Sequence, residues 1–251
     1  MRNPRCPGIV CPFGFWGLAC LLEVPEPPPA PRSIDHVVCS TEVDPAVLAG
    51  TGAGLDQTQL RKHLAHLRTE VRGFPIHEAD VVTTNGALYE LLRSASMDVV
   101  YLLSHAEAHD SSENVALIFP DGPLTSEQII VWARDHWPVD HWGTRRPLVV
   151  LNACHTTEVV QSTMTGFVSN FVGAGAAGVV GTETLIEQQA ASMAMRYFLA
   201  DLSAGAPVGE AIRSMRWRLL SRGNLLGFAY TPYCAASLRL RREPSDYLDV
   251  F

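Results

Sequence analysis

The chain has 251 residues, 47% of them apolar, and a formal charge of -7. That length buries a full hydrophobic core and fits one domain, alone or with an appendage. The acidic balance argues against nucleic acid as the main partner, and the absence of a run of about 18 uninterrupted apolar residues argues against a membrane span.

Six cysteines stand at 6, 11, 20, 39, 154 and 234, and no two form a C-x-x-C pair. A chain of this size has no need of a disulfide framework, so reduced thiols in a cytosol are expected. Cys6 and Cys11 lack a matching Cys/His pair and read as structural, with no metal. Arg2 and Arg5 precede "CPGIVCPFGFWGLACLL", which superficially resembles a signal peptide. Pro7, Pro12, Gly8, Gly14 and Gly17 interrupt any apolar helix there, and a cytoplasmic protein is expected.

Residues 1–32 form an N-terminal segment closed by the stiff proline-rich linker "EVPEPPPAPR"; 33–242 read as one domain and 243–251 as a tail. "IDHVVCST" is the candidate first strand. "DQTQLRKHLAHLRTE" follows as a helix with Leu60, Leu64 and Leu67 on one face. "HEADVVTT" reads as a second strand, and "NGALYELLRSA" as a helix with Leu88, Leu91 and Leu92 inward. The run Val99 to Leu103 is a buried strand ended by Ser104 and His105, beyond which a polar loop is expected. "NVALIFPDGPL" is an extended excursion turning at Pro120-Asp121-Gly122. "TSEQIIVWARDHW" is a helix with capping-box spacing between Thr125 and Gln128, and with Ile129, Ile130, Ala133 and Trp137 as its apolar stripe. Leu148 to Leu151 is another buried strand. "GFVSNFVGAG" is a helix ending at glycine, "AAGVVGTETLI" a strand, and "EQQAASMAMRYFLADLSAG" and "PVGEAIRSMRWRLLSRG" are helices. "FAYTPYCAASLRL" closes as a strand. Strands alternating with helices predict an α/β domain with a mostly parallel sheet.

Functional groups gather at the carboxyl ends of strands in open parallel sheets. Two buried strands end in reactive side chains here: His105 after "VVYLLS" and Cys154 after "LVVLNA". If the strands are neighbours, imidazole and thiol share one sheet edge, and the imidazole can take the thiol proton or stabilise the thiolate. The competing reading is a buried structural cysteine and a histidine that caps backbone.

The segments "VVYLLSHAEA", "RPLVVLNACHTTE", "GAGAAGVVGTETLI", "AGAPVGEAIRSMRWRLL" and "NLLGFAYTPYCAASLRL", in this order, resemble the CHAT family of caspase-like peptidase domains. "CPFGFWG" is similar to a stretch upstream of this domain in some relatives. The resemblance runs from about Ile34 to Leu240. It implies a caspase-like three-layer sandwich with a mostly parallel central sheet flanked by helices. It also implies a catalytic dyad at His105 and Cys154 that cleaves a protein or peptide substrate without a cofactor. The oxyanion hole falls on the backbone N–H groups of Ala106 and Cys154. Attached sensor or repeat modules as partners, and a role in bacterial defence or regulated proteolysis, follow from the same resemblance. The family has glycine after the histidine where this chain has Ala106, so a catalytically impaired interaction module is the alternative.

Other patterns were weighed against chemistry. "GAGAAG" has the glycine spacing of a dinucleotide fingerprint, but a helix precedes it and a strand follows, the reverse of what that motif needs. "HAEAH" lacks the H-E-x-x-H order of zinc proteases, so no native metal is expected. Arg213, Arg216, Arg218 and Arg222 read as a solvated helix face. Glu183 and Glu187 follow the strand beyond the cysteine. Carboxylates there favour a basic residue before the scissile bond, with a helix N-terminal charge as the competing role for Glu187.

Overall fold

The computed structural model describes residues 18, 21, 38–39, 47–51, 56–70, 81–94, 97–108, 115–138, 141–143, 146–154, 161–184 and 186–240. The linker Glu23 to Arg32, the 243–251 tail, Cys6, Cys11, His109 and His155 lie outside the described residues.

In chain order the elements are β1 (Val38–Cys39), β2 (Val47–Thr51), α1 (Gln57–Glu70), β3 (Val81–Val82), α2 (Asn85–Ser94) and β4 (Val99–Ala108). Then come β5 (Val115–Phe119), β6 (Gly122–Leu124), α3 (Ser126–Val131), β7 (Leu148–Cys154), α4 (Gln161–Gly173) and β8 (Gly178–Thr182). The chain continues with α5 (Gln188–Ser203), α6 (Val208–Leu220), β9 (Tyr230–Tyr233) and β10 (Arg239–Leu240). The main sheet has the order β3-β2-β4-β7-β8-β9. Every neighbouring pair on this path is parallel except β8 and β9.

Strand alternation divides the core into two layers, because successive side chains point to opposite sheet faces. Val99, Tyr101 and Leu103 of β4 pack with Leu148 and Val150 of β7 against α1, α5 and α6. Val100, Leu102 and Ala106 pack with Val149 and Leu151 against α2, α3 and α4. The result is three layers, helix on sheet on helix. Both β4 and β7 are covered on both faces, which is why each reads as a continuous apolar run.

Several elements differ from the sequence reading. Of the expected first strand the described part is Val38–Cys39, which pairs with Arg239–Leu240, apart from the main sheet. The strand that enters the sheet instead is β2, whose "VLAGT" offers only two bulky apolar residues and so gives a faint pattern. In the second expected strand, Val81–Val82 pairs with β2, and Thr83 and Thr84 lie beyond it. β4 does not stop at Ser104 and His105 but runs to Ala108, because β5 takes over the edge that β2 leaves at Leu103. Ser104 secures this handover: its hydroxyl donates to the carbonyls of His105 at 3.0 Å and Ile118 at 3.2 Å. α3 passes into a π-helical turn, Trp132–His136, and α4 starts at Gln161, a turn before its apolar stripe. Arg216 departs from the solvated face assigned to it. It lies on the buried side of α6, between Ile212 and Leu219, and donates to the Tyr230 carbonyl at 2.6 Å.

The turn chemistry is as read. Gly122 has φ of 134° between β5 and β6, and the adjacent Asp121 carboxylate accepts from the Asn85 and Gly86 N–H groups that open α2. Gln128 reaches back to the Thr125 N–H at 2.8 Å. "GAGAAG" serves the passage from α4 to β8: Gly175 has φ of 108°, and Arg146 donates to the Gly175 and Ala176 carbonyls. Gly178 marks a close approach. A Cβ built there lies 2.2 Å from the Cβ of Cys234 and 3.0 Å from the Tyr233 carbonyl oxygen. Gly178→Ala must therefore push β9 away from β8, and a loss of about 1–3 kcal/mol is expected in urea unfolding, the range for overpacked cores. Unchanged stability would show that β9 is free to shift.

Candidate active site

β4 and β7 are the central parallel pair, in register from Val99 opposite Leu148 to His105 opposite Cys154. Neighbouring strands lie about 4.8 Å apart, and register partners lie on the same face of a sheet. The two residues singled out from separate apolar runs therefore occupy adjacent positions at the carboxyl end of the sheet. His105 is half-buried; for Cys154 the backbone alone is described. Ala106 follows in the extended backbone of β4, opposite Leu117, with 1% of its surface exposed. Extended backbone is open to any residue, so no left-handed conformation burdens alanine there.

Beneath this pair runs a buried polar chain that the sequence reading missed. The Tyr230 hydroxyl donates to Asn152 Oδ1 at 2.6 Å. Asn152 Nδ2 donates to the Tyr101 hydroxyl at 2.7 Å and approaches the Ala191 carbonyl at 3.5 Å. The Tyr101 hydroxyl lies 2.9 Å from Nε2 of His63 on α1. All four side chains are buried, His63 with 2% exposed and the others with none. Their only trace in the sequence is a tyrosine inside "VVYLL" and an asparagine inside "VVLNA", polar tips in strands otherwise wholly apolar. Asn152 lies two residues before Cys154, opposite Leu103, so the chain fastens the last turn of the pleat before the candidate nucleophile.

Glu183 and Glu187 are placed differently from one another. Glu183 follows β8 directly, is half-buried, and accepts from the Tyr233 hydroxyl at 2.7 Å. Glu187 is exposed and is the N-cap of α5, its two oxygens accepting from the Gln189 and Ala190 N–H groups. Arg216 is linked to Glu183 electrostatically: burial lowers its pKa, and the carboxylate opposes that.

The model of the CHAT domain matches residues 49–236. The chain belongs to the CHAT domain family. It is 34% identical over 258 aligned residues to a probable protease from Vitiosangium sp. (strain GDMCC 1.1324), covering 96% of this chain and 32% of that protein. The chain thus spans about a third of the length of that curated relative. Among solved structures it is similar to the Arg-specific cysteine proteinase gingipain R, with a TM-score of 0.50 and 10% identity over 82% of this chain and 48% of the other. It also matches the Drosophila initiator caspase Dronc, with a TM-score of 0.45 and 11% identity over 87% of this chain and 92% of the other. The fold of this CHAT domain is caspase-like. No helix among its described residues is long and apolar enough to cross a membrane.

Burial pushes the His63 imidazole down to about 3, and the charges of Arg196 and His66 act in the same direction. The unfolded chain therefore binds a proton that the folded domain refuses, and stability falls as pH drops below about 6.5 towards 3, at up to about 1.4 kcal/mol per pH unit. His63→Gln, which keeps a polar group for Tyr101, is expected to flatten the pH dependence of unfolding free energy between pH 6 and pH 4. An equal slope in both proteins would place the buried proton deficit elsewhere.

Proposed function

We propose that this CHAT domain is a cysteine endopeptidase in which Cys154 attacks the scissile carbonyl and His105 handles the proton. The single observation that carries the reading is the register pairing of these two positions at the end of the central strands. Family membership, the probable protease relative and the caspase-like fold support a cysteine peptidase. The steps balance without a cofactor. His105 accepts the thiol proton, and the thiolate adds to the carbonyl carbon. The oxyanion is held by the N–H groups of Ala106 and Cys154, and collapse expels the amine with the proton from His105. Water, with His105 again as base, then hydrolyses the thioester. Cytoplasmic regulated proteolysis or bacterial defence, under control of an attached sensor or repeat module, is the setting that we infer.

A protein-derived peptide library is the direct test. Cys154→Ala is expected to abolish cleavage, and His105→Ala to slow it by at least about 10²–10⁴-fold, the usual worth of general acid-base assistance. Both are expected to fold. Cleavage by Cys154→Ala at the wild-type rate would sink the reading. Ala106→Gly is expected to change the rate by less than about threefold, since an extended backbone presents the same N–H in either residue. A gain above about tenfold would mean that alanine holds the oxyanion donor out of place.

We further propose a preference for Lys or Arg before the scissile bond, with Glu183 as the recognising carboxylate. Glu187 contributes less, because its oxygens are engaged as a cap. Glu183→Gln is expected to lower cleavage after basic residues by about 10–100-fold, the value of one charge-assisted hydrogen bond. Library cleavage after Asp or apolar residues would overturn the assignment.

A further inference from the structure

Glu183 stands three residues past Val180, the last residue of β8 that pairs with β7, and Ala153 stands three past its partner Val150. The carboxylate therefore leaves the sheet beside the strand that carries Cys154. Its backbone is fixed there, because the Glu183 N–H donates to the Ala229 carbonyl at 2.9 Å.

The side chain is fixed as well. Alternation along β8 puts Val179, Gly181 and Glu183 on one face. Tyr233 pairs with Val179 and packs against the α2, α3 and α4 layer on that face. Gly181 lies between Val179 and Glu183 and carries no side chain, so the way along this face is open. The Tyr233 hydroxyl reaches past it and donates to Glu183 Oε1 at 2.7 Å. A phenol has one proton to give, and this bond commits it to the carboxylate whatever else the ring touches.

The two carboxylate oxygens are thereby unequal. Oε1 carries the Tyr233 hydroxyl, whereas no group among the described residues donates to Oε2. Basic side chains differ in what they need from such an acceptor. An arginine guanidinium presents two parallel N–H groups in a rigid plane and binds best where it has both oxygens to itself. A lysine ammonium is a compact point charge that one oxygen satisfies. With Oε1 shared, the arginine fork keeps one full bond and a weakened second, and the lysine ammonium loses nothing.

Resting on the reading of Glu183 as the carboxylate that recognises the residue before the scissile bond, we propose that Tyr233 is a positioning residue that makes this site select lysine over arginine. The hydroxyl holds Glu183 in a one-oxygen presentation. Without it, both oxygens are open and the carboxylate is free to turn, so arginine gains while lysine changes little.

Two peptides that differ only in Lys or Arg before the scissile bond test this, with kcat/KM measured for wild type, Tyr233→Phe and, as a control on α2, Tyr89→Phe. The wild type is expected to favour the lysine peptide by about 5–20-fold, the difference that one charge-assisted hydrogen bond makes. Tyr233→Phe, which keeps the ring in its layer, is expected to bring the two peptides within about twofold, chiefly through a lower KM for the arginine peptide. Tyr89→Phe is expected to keep the wild-type ratio. The same ratio read as Kd on Cys154→Ala keeps the test independent of turnover. A wild type that favours arginine, or a ratio unchanged in Tyr233→Phe, would overturn the proposal. Glu183→Gln separates the two ways of failing. If it still loses both peptides, only the role of Tyr233 falls; if it handles both as the wild type does, the reading of Glu183 falls with it.

Discussion

The parallel pairing of β4 with β7 is the constraint on which the rest of the molecule depends. Seven consecutive residue pairs lie between them, ending at His105 and Cys154. A slip of one residue turns every side chain to the opposite face. Here it would drive Tyr101 and Asn152 out of one core layer and Val100 and Leu151 out of the other. Register is therefore fixed by burial on both faces. The meeting of imidazole and thiol positions at the strand ends follows from that core and needs no local device to arrange it.

The buried chain His63–Tyr101–Asn152–Tyr230 adds to this constraint. Four polar tips in an apolar layer are tolerated because each finds a partner across an element boundary, linking α1, β4, β7 and β9. Such a chain accepts one arrangement of those four elements and penalises others, which apolar packing alone does less sharply. Above it, β5 replaces β2 along the outer edge of β4, with Ser104 bonded to both strands at the junction. The backbone that follows His105 is thus paired and extended, and the Ala106 position is set by sheet geometry.

Much of this was legible in the sequence where burial writes a strong pattern. β4 and β7 are covered on both faces and appear as unbroken apolar runs. Leu60, Leu64 and Leu67 mark the inward face of α1, and Pro120-Asp121-Gly122 marks the turn from β5 to β6. What failed to show has physical reasons. β2 is short and half of it is small residues, so its place in the sheet is decided by neighbours rather than by its own composition. Among the described residues β1 and β10 pair only with each other, at a separation of some two hundred residues that no local pattern records. Arg216 was assigned to water because it is charged, whereas its partner, the Tyr230 carbonyl, comes from a later strand. The pairing of His105 with Cys154 was inferable as two strand ends, yet their adjacency depends on the order β4-β7, a tertiary fact. The polar chain was invisible for the same reason: it exists only once distant elements meet.

The central claim is that register places an imidazole where it governs the Cys154 thiol. The most direct measurement is the pH dependence of alkylation at Cys154, read by mass spectrometry in wild type and in His105→Gln. A free thiol titrates near 8.5, and a paired imidazole lowers that value. The account predicts a thiolate already reactive below pH 7.5 in the wild type, an upward shift of at least about one pH unit in His105→Gln, and little labelling of Cys234, which is 4% exposed. Identical alkylation profiles in the two proteins would contradict it.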